Sequence, residues 1–388
     1  MISDKTLVYA EEVTTALLGL DALFRAEPGH ADALVVLNMA TTHQPERFAD
    51  YAGARARFIE LEQRAADLPE PDRRRYYQQV CQSEIAFCDW REGRLSFNEQ
   101  ISGFLHVPAA PASNAELDAL RADMRVLLNR MSYSGDLHAQ CAAWEACNRV
   151  PPDEVQGTLT ELLSEAWDRT AEHMDIPAPK SDGMRVQTIS AAPFSGRCDY
   201  SHRVIELNID PVLTRPGLKH LAVHEGYPGH YVQFKLREHW YAEGTAPADG
   251  LLSVVNTASS SPFEGIADNG LHVIDWIDGD DDQLQALLTR YRSGIGTVAA
   301  WQLHMEGRAH EQVADWLRMN ALIGGEGWVA NRMRFIAAPD RSALIWSYWW
   351  GEPSVTPVWA SVPTEKRPAF LRYLYGRMHS PQTVAMFA

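Results

Sequence analysis

The stretch His224-Glu225-Gly226-Tyr227-Pro228-Gly229-His230 places a carboxylate directly after one histidine and a second histidine six positions after the first. Zinc hydrolysis uses these residue types. Neutral imidazoles hold the cation, and an unligated glutamate takes a proton from the activated water. The spacing is not the usual one. Positions i and i+4 share a face of an α-helix, whereas six residues turn the second ring roughly 120° away from the first. Pro228 alters this, because it lacks an N–H and its ring clashes with the carbonyl four residues back, which belongs to His224. Gly229 adds backbone freedom. The Pro-Gly step is expected to open or bulge the helix and swing His230 back toward a shared metal.

His220 competes for that role. It stands at i, i+4 from His224, but residue 221 is Leu, so a motif read from His220 lacks a glutamate in its second place. A zinc site also needs a third protein ligand and one position open to water. Glu264, in Ser261-Pro262-Phe263-Glu264, is the candidate. The same four residues read equally well as a capping box with proline at the first helical position. Asp268 lies one turn beyond Glu264 and could support a ligand histidine. Three ordinary histidines on a helix are the plain alternative.

The elements that must carry these residues read as helix. Residues 6–26, 29–41, 45–67 and 71–105 have helical periodicity, broken at Pro28-Gly29 and at 68–71. Residues 115–132, 135–148 and 153–174 follow, with Ser113 or Asn114 as a cap. Residues 185–190 and 203–208 alternate and are rich in β-branched side chains, which predicts two short strands, in a small sheet or a simple hairpin. An edge strand there could pair with an extended peptide. Helix resumes over 217–240, which carries the histidines, then over 261–276, 283–304 and 308–321, with a solvated acidic turn at 278–282. The expected fold is mainly α with a small β-hairpin or sheet beside the metal-binding helix. It has an N-terminal helical lobe over 1–180 and a metal-binding lobe over 181–388.

Composition narrows the function classes. With 35 basic and 51 acidic residues the formal charge is −16, which argues against nucleic acid as a partner. MISDKTLVYAEEV has neither the basic start nor the apolar core of a signal peptide, and no apolar run approaches a membrane span. Five cysteines without a CxxC pair read as reduced thiols, so a cytoplasmic protein is expected.

HEGYPGHYVQF followed by FEGIAD resembles domain-of-unknown-function family 885, which typically carries HEAYPGHH and then EGWA and is grouped with the mostly helical gluzincin-type metallopeptidases. The likeness runs over about 185–351. It implies that His224, His230 and Glu264 hold Zn2+ and that Glu225 is the general base. Gln302-Leu303-His304 resembles a family stretch ending Gly-Leu-His, Arg334-Phe335 an Arg-Tyr step, and Ser347-Tyr348-Trp349-Trp350-Gly351 a Ser-Tyr-x-x-Gly step. Tyr348 and His304 are thereby candidate donors to an oxyanion, and Arg334 a candidate fork for a substrate carboxylate. Three departures stand out: Tyr231 replaces the second histidine of HH, Ile266 the tryptophan of EGWA, and Pro339-Asp340-Arg341 the usual Pro-Gly-Gln. A zinc-dependent peptidase acting on small peptides is the leading expectation. A metal-dependent hydrolase or lyase on a small non-peptide molecule and a metal-free helical binding protein are the alternatives.

Overall fold

The structure is a computed structural model that describes residues 2–27 and 33–387. Helix accounts for 64% of it and strand for 6%, so the fold is mainly α with small sheets. The N-terminal part holds α1 (Asp4–Arg25), β1 (Val35–Asn38), α2 (Tyr51–Ala65), α3 (Pro71–Arg91) and α4 (Phe97–Leu105). Next come α5 (Asn114–Arg130), α6 (Leu137–Asn148), α7 (Val155–His173), β2 (Arg185–Ile189), β3 (Gly196–Asp199) and β4 (Val204–Asn208). The histidine region comprises α8 (Arg215–Leu221), α9 (His230–Ala242), β5 (Leu252–Val254), α10 (Ser260–Asp268) and α11 (Gly270–Val273). The remainder is α12 (Asp280–His304), α13 (His310–Asn320), α14 (Gly325–Ala337), α15 (Ile345–Ser361), α16 (Arg367–Tyr375) and α17 (Pro381–Val384).

The chain forms two compact units, and each draws on residues before and after 180. One comprises 1–109, 233–266 and 350–388, the other 110–232 and 267–349. In the first, α1 to α4 pack around Phe24, Phe58, Tyr77 and Phe87, all fully buried. The helix expected over 29–41 is not formed at its described end. Val35 to Asn38 instead pair antiparallel with β5, Val35 opposite Val254 and Asn38 opposite Leu252. Leu34-Val35-Val36-Leu37 is an apolar run that suits a strand once a partner is available. The turn expected at Pro28-Gly29 lies outside the described residues. The single helix expected over 71–105 is two, because Gly93 adopts φ 73° after α3 and Ser96 opens α4 with a capping box to Glu99.

In the second unit, α5 begins at the cap Ser113, whose side chain accepts from the Glu116 N–H. The expected small sheet is present, and it is not a simple hairpin. β2 and β4 run parallel, Arg185 opposite Val204 through Ile189 opposite Asn208. A third strand, β3, lies antiparallel on the other side of β4. Sequence alternation located two of the three strands; β3 is only four residues long and reads as part of a turn. The acidic turn is not simply solvated. Lys219 on α8 donates to Asp278 at 2.7 Å and Asp282 at 2.6 Å, and its ammonium lies 4.5 Å from the Trp276 ring centre. No helix among the described residues is long and apolar enough to cross a membrane.

Candidate metal centre

The segment that carries the motif is not a regular helix. α8 starts at the cap Thr214, which accepts from Gly217, and runs to Leu221. Ala222–Gly226 then widens into a π-turn, in which the Tyr227 N–H donates to the Ala222 carbonyl at 3.1 Å. The chain breaks at Tyr227–Gly229, where the Tyr227–Pro228 peptide is cis, and α9 starts at His230 itself. The Gly229 N–H donates to the Val223 carbonyl at 2.9 Å. A Cβ on Gly229 would stand 1.9 Å from the His224 carbonyl oxygen. Only glycine permits that approach. The expected opening is therefore present, and it consists of a π-turn followed by a restart of the helix.

This distortion brings the histidines together. The His224 and His230 rings lie 4.7 Å apart, centre to centre, at 77°. Both are buried, at 9% and 7% exposure. One ligand atom from each of His224, His230 and Glu264 lies within 4.8 Å of the others. Glu264 sits one turn before Asp268 on the continuous helix α10, and Asp268 bonds to His224, so local helix geometry sets its place. α10 begins at Ser260, before Ser261. Glu264 is thus beyond the third helical position that a capping box requires.

Asp268 settles the role of each His224 nitrogen. Its Oδ1 lies 2.9 Å from His224 Nδ1 and 3.5 Å from His220 Nε2. A nitrogen that donates its proton to a carboxylate has no lone pair for a metal, so Nε2 is the His224 nitrogen able to act as a ligand. His220, His224 and Asp268 form a second cluster of possible ligands. It shares His224 with the first, and there Asp268 acts as the group that orients the imidazole. Burial would raise the Asp268 pKa, yet the neighbouring His224 and His220 hold it well below the usual carboxylate range.

Glu225 is buried, at 6% exposure, and one of its oxygens accepts the Cys198 N–H at 2.8 Å. Cys198 stands opposite Ile205 across β3 and β4, and three residues along the ladder the Asn208 N–H donates to the Ser195 carbonyl. Alternation in an antiparallel ladder then turns the Cys198 N–H away from β4, to the outer edge of β3 where Glu225 takes it. Burial first, and then the Glu225 and Asp199 carboxylates, push the Cys198 thiol well above its ordinary pKa. Its contact with Glu225 is invisible in the sequence, because β3 itself was not legible there.

The remaining candidates, His304, Tyr348 and Arg334, belong to the second unit. His304 Nε2 bonds to the Ile336 carbonyl at 2.7 Å. Tyr348 packs edge-on against Phe335 at 5.9 Å. Arg334 is exposed, with the Ala192 carbonyl at 3.4 Å and Asp210 at 3.9 Å. Tyr231, at the departure from HH, packs against Trp167 and Tyr227, and its hydroxyl donates to the Asp182 carbonyl at 3.2 Å. It serves as buried packing beneath the site.

No family model and no curated protein matches the chain. It is similar to a solved structure from Shewanella oneidensis, provisionally described as a lipoprotein of unknown function, with TM-score 0.51 and 15% identity over 87% of this chain and 71% of that one. A second, from Colwellia psychrerythraea and also provisionally described as a lipoprotein, has TM-score 0.53 and 14% identity over 89% and 70%. At such identities the chain shares a fold with these two proteins.

Proposed function

We propose that the chain is a zinc-dependent hydrolase, that His224, His230 and Glu264 hold the metal, and that small peptides are its substrates. One observation carries this reading: two imidazoles and a carboxylate converge within 4.8 Å beside a buried, unligated glutamate. Two imidazoles and a carboxylate are the donor types of a three-ligand zinc site, so this set suits zinc. Membership of domain-of-unknown-function family 885 is part of the same proposal, supported by the motif and by the mainly helical fold.

Bound zinc supplies Lewis acidity that brings the ionisation of a water to about pH 7. The residues of the chain do the rest. Asp268 fixes the His224 tautomer. The Cys198 N–H holds one oxygen of Glu225 and so orients the carboxylate that takes the water's proton and passes it to the leaving nitrogen. Tyr348 and His304 are assigned to the oxyanion by the resemblance. A peptide is preferred to a compact non-peptide substrate on the motif resemblance, since the outward N–H of Cys198 on the edge strand β3 is already taken by Glu225.

The test is turnover of a quenched fluorescent peptide library and a panel of small amides by the zinc-loaded protein and by Glu225→Gln. Peptide cleavage that falls by about 10²–10⁴-fold in the variant, with metal retained, is the expected result. Full turnover by the variant removes Glu225 as base, and cleavage confined to the small amides removes the peptide assignment.

A further inference from the structure

Two arginines of the second unit stand out by what they lack. Arg292 on α12 and Arg332 on α14 both lie against the ring of Trp328, with guanidinium carbons 4.6 and 5.4 Å from its centre. Arg332 also lies 5.8 Å from the Phe335 ring centre. Among the described residues no carboxylate stands within ion-pairing distance of either. Glu145 acts on Arg292 only from farther away, and its carboxylate accepts the Gly324 N–H. The Nε of Arg332 is buried and has no hydrogen-bond partner among the described residues.

Arginine keeps its proton under any ordinary condition, so both positive charges persist. Burial pushes the pKa of Arg292 down to about 9, with Arg332 adding to the effect, and that of Arg332 down to about 10. Stacking on aromatic faces offsets only part of the cost of taking a guanidinium out of water. Two like charges near each other add repulsion. An arrangement this unfavourable by itself is completed by an anion.

We infer that the Arg292–Arg332 pair is a binding site for a carboxylate, the acidic end of a substrate or ligand. Two planar forks present parallel N–H donors that match carboxylate oxygens. The Tyr348 phenol is close enough to act on Arg332 electrostatically, and Phe335 touches both. Arg332 thus takes the part that the resemblance gave to Arg334, which is exposed and lies near Asp210. That the carboxylate belongs to the peptide being cleaved rests on the hydrolase reading; the anion site does not.

The experiment is calorimetric titration of the purified protein with acetyl-dialanine, with its C-terminal amide and with inorganic phosphate. Arg332→Met, Arg332→Lys and Arg292→Met are run alongside, with metal content and a thermal melt recorded for each. The free acid should bind and the amide should not, and Arg332→Met should weaken the acid by about tenfold or more. Arg332→Lys should keep part of that affinity, since it retains the charge and loses the fork, and it stands in if the methionine variant does not fold. Equal binding of acid and amide, undiminished binding in the Arg332 variants, or binding of phosphate alone would overturn the assignment. A protein that takes up no metal yet still discriminates acid from amide refutes the hydrolase reading and leaves this site standing.

Discussion

Lys219 and His224 lie little more than one helical turn apart, yet their surroundings differ in kind. At Lys219 donors meet acceptors: one ammonium lies between two carboxylates and over an indole, and Asp282 also accepts the Asp278 N–H at 2.8 Å. At His224, beyond the Asp268 bond, two imidazoles and a carboxylate bring possible metal-ligand atoms within 4.8 Å of one another. The first cluster is complete as it stands and holds α8 to the start of α12. The second gathers the donor types that the proposed metal would take. The difference shows that burial of polar groups does not by itself mark a candidate site; what marks it is which kinds of atom are brought together. Arg292 and Arg332, two cations with no carboxylate at ion-pairing distance among the described residues, are the mirror case.

The comparison is broken most severely from the matched side. Lys219→Met leaves Asp282, at 8% exposure, without its cation. The loss should fall toward the lower end of about 3–5 kcal/mol, because Asp278 is exposed and can be hydrated. Chemical denaturation measures it, and a change near zero would show that the cluster is not the anchor described. A smaller loss is expected from Gly229→Ala. Its Cβ has no room beside the His224 carbonyl, so about 1–3 kcal/mol should be lost, together with most of the metal affinity. Unchanged metal uptake by a folded Gly229→Ala protein would mean that the close turn does not aim His230.

A third buried group sharpens the contrast. Glu84 in the first unit is fully buried, and burial pushes its pKa from 4.5 up to about 8. It meets its environment by holding a proton, where the Glu264 carboxylate is proposed to meet a metal. The folded state keeps the Glu84 proton while the unfolded chain releases it, so stability is fully present below pH 4.5 and falls as pH rises toward about 8. Glu84→Gln should flatten that slope, with stability equal to the parent near pH 4 and higher near pH 8. Urea melts across the range measure it, and parallel pH profiles would contradict it.

Much of the site was legible in the sequence because it is local. Proline and glycine at 228 and 229 announce a broken helix wherever they occur, and the helix break is the device that pairs His224 with His230. The π-turn was not legible, since residues 222–226 carry no signal that distinguishes five-residue from four-residue hydrogen bonding. Glu264 was ambiguous between ligand and cap until the start of α10 at Ser260 excluded the cap. The errors lie where distant pairing decides. β1 reads as helix until β5 supplies its edge, and nothing in β2 and β4 tells that they run parallel with β3 on the far side of β4. α14 and α15 lie beyond the last helix that periodicity marks, at 308–321, and α15 continues through Pro353 and Pro357, residues that ordinarily end a helix.

Elemental analysis of the purified protein after dialysis against zinc tests the central claim most directly, run side by side with His230→Ala, Glu264→Ala and His220→Ala. About one equivalent of metal should remain on the parent and on His220→Ala, and little on the other two. No retained metal on the parent, or retention by His230→Ala with loss in His220→Ala, would contradict the account.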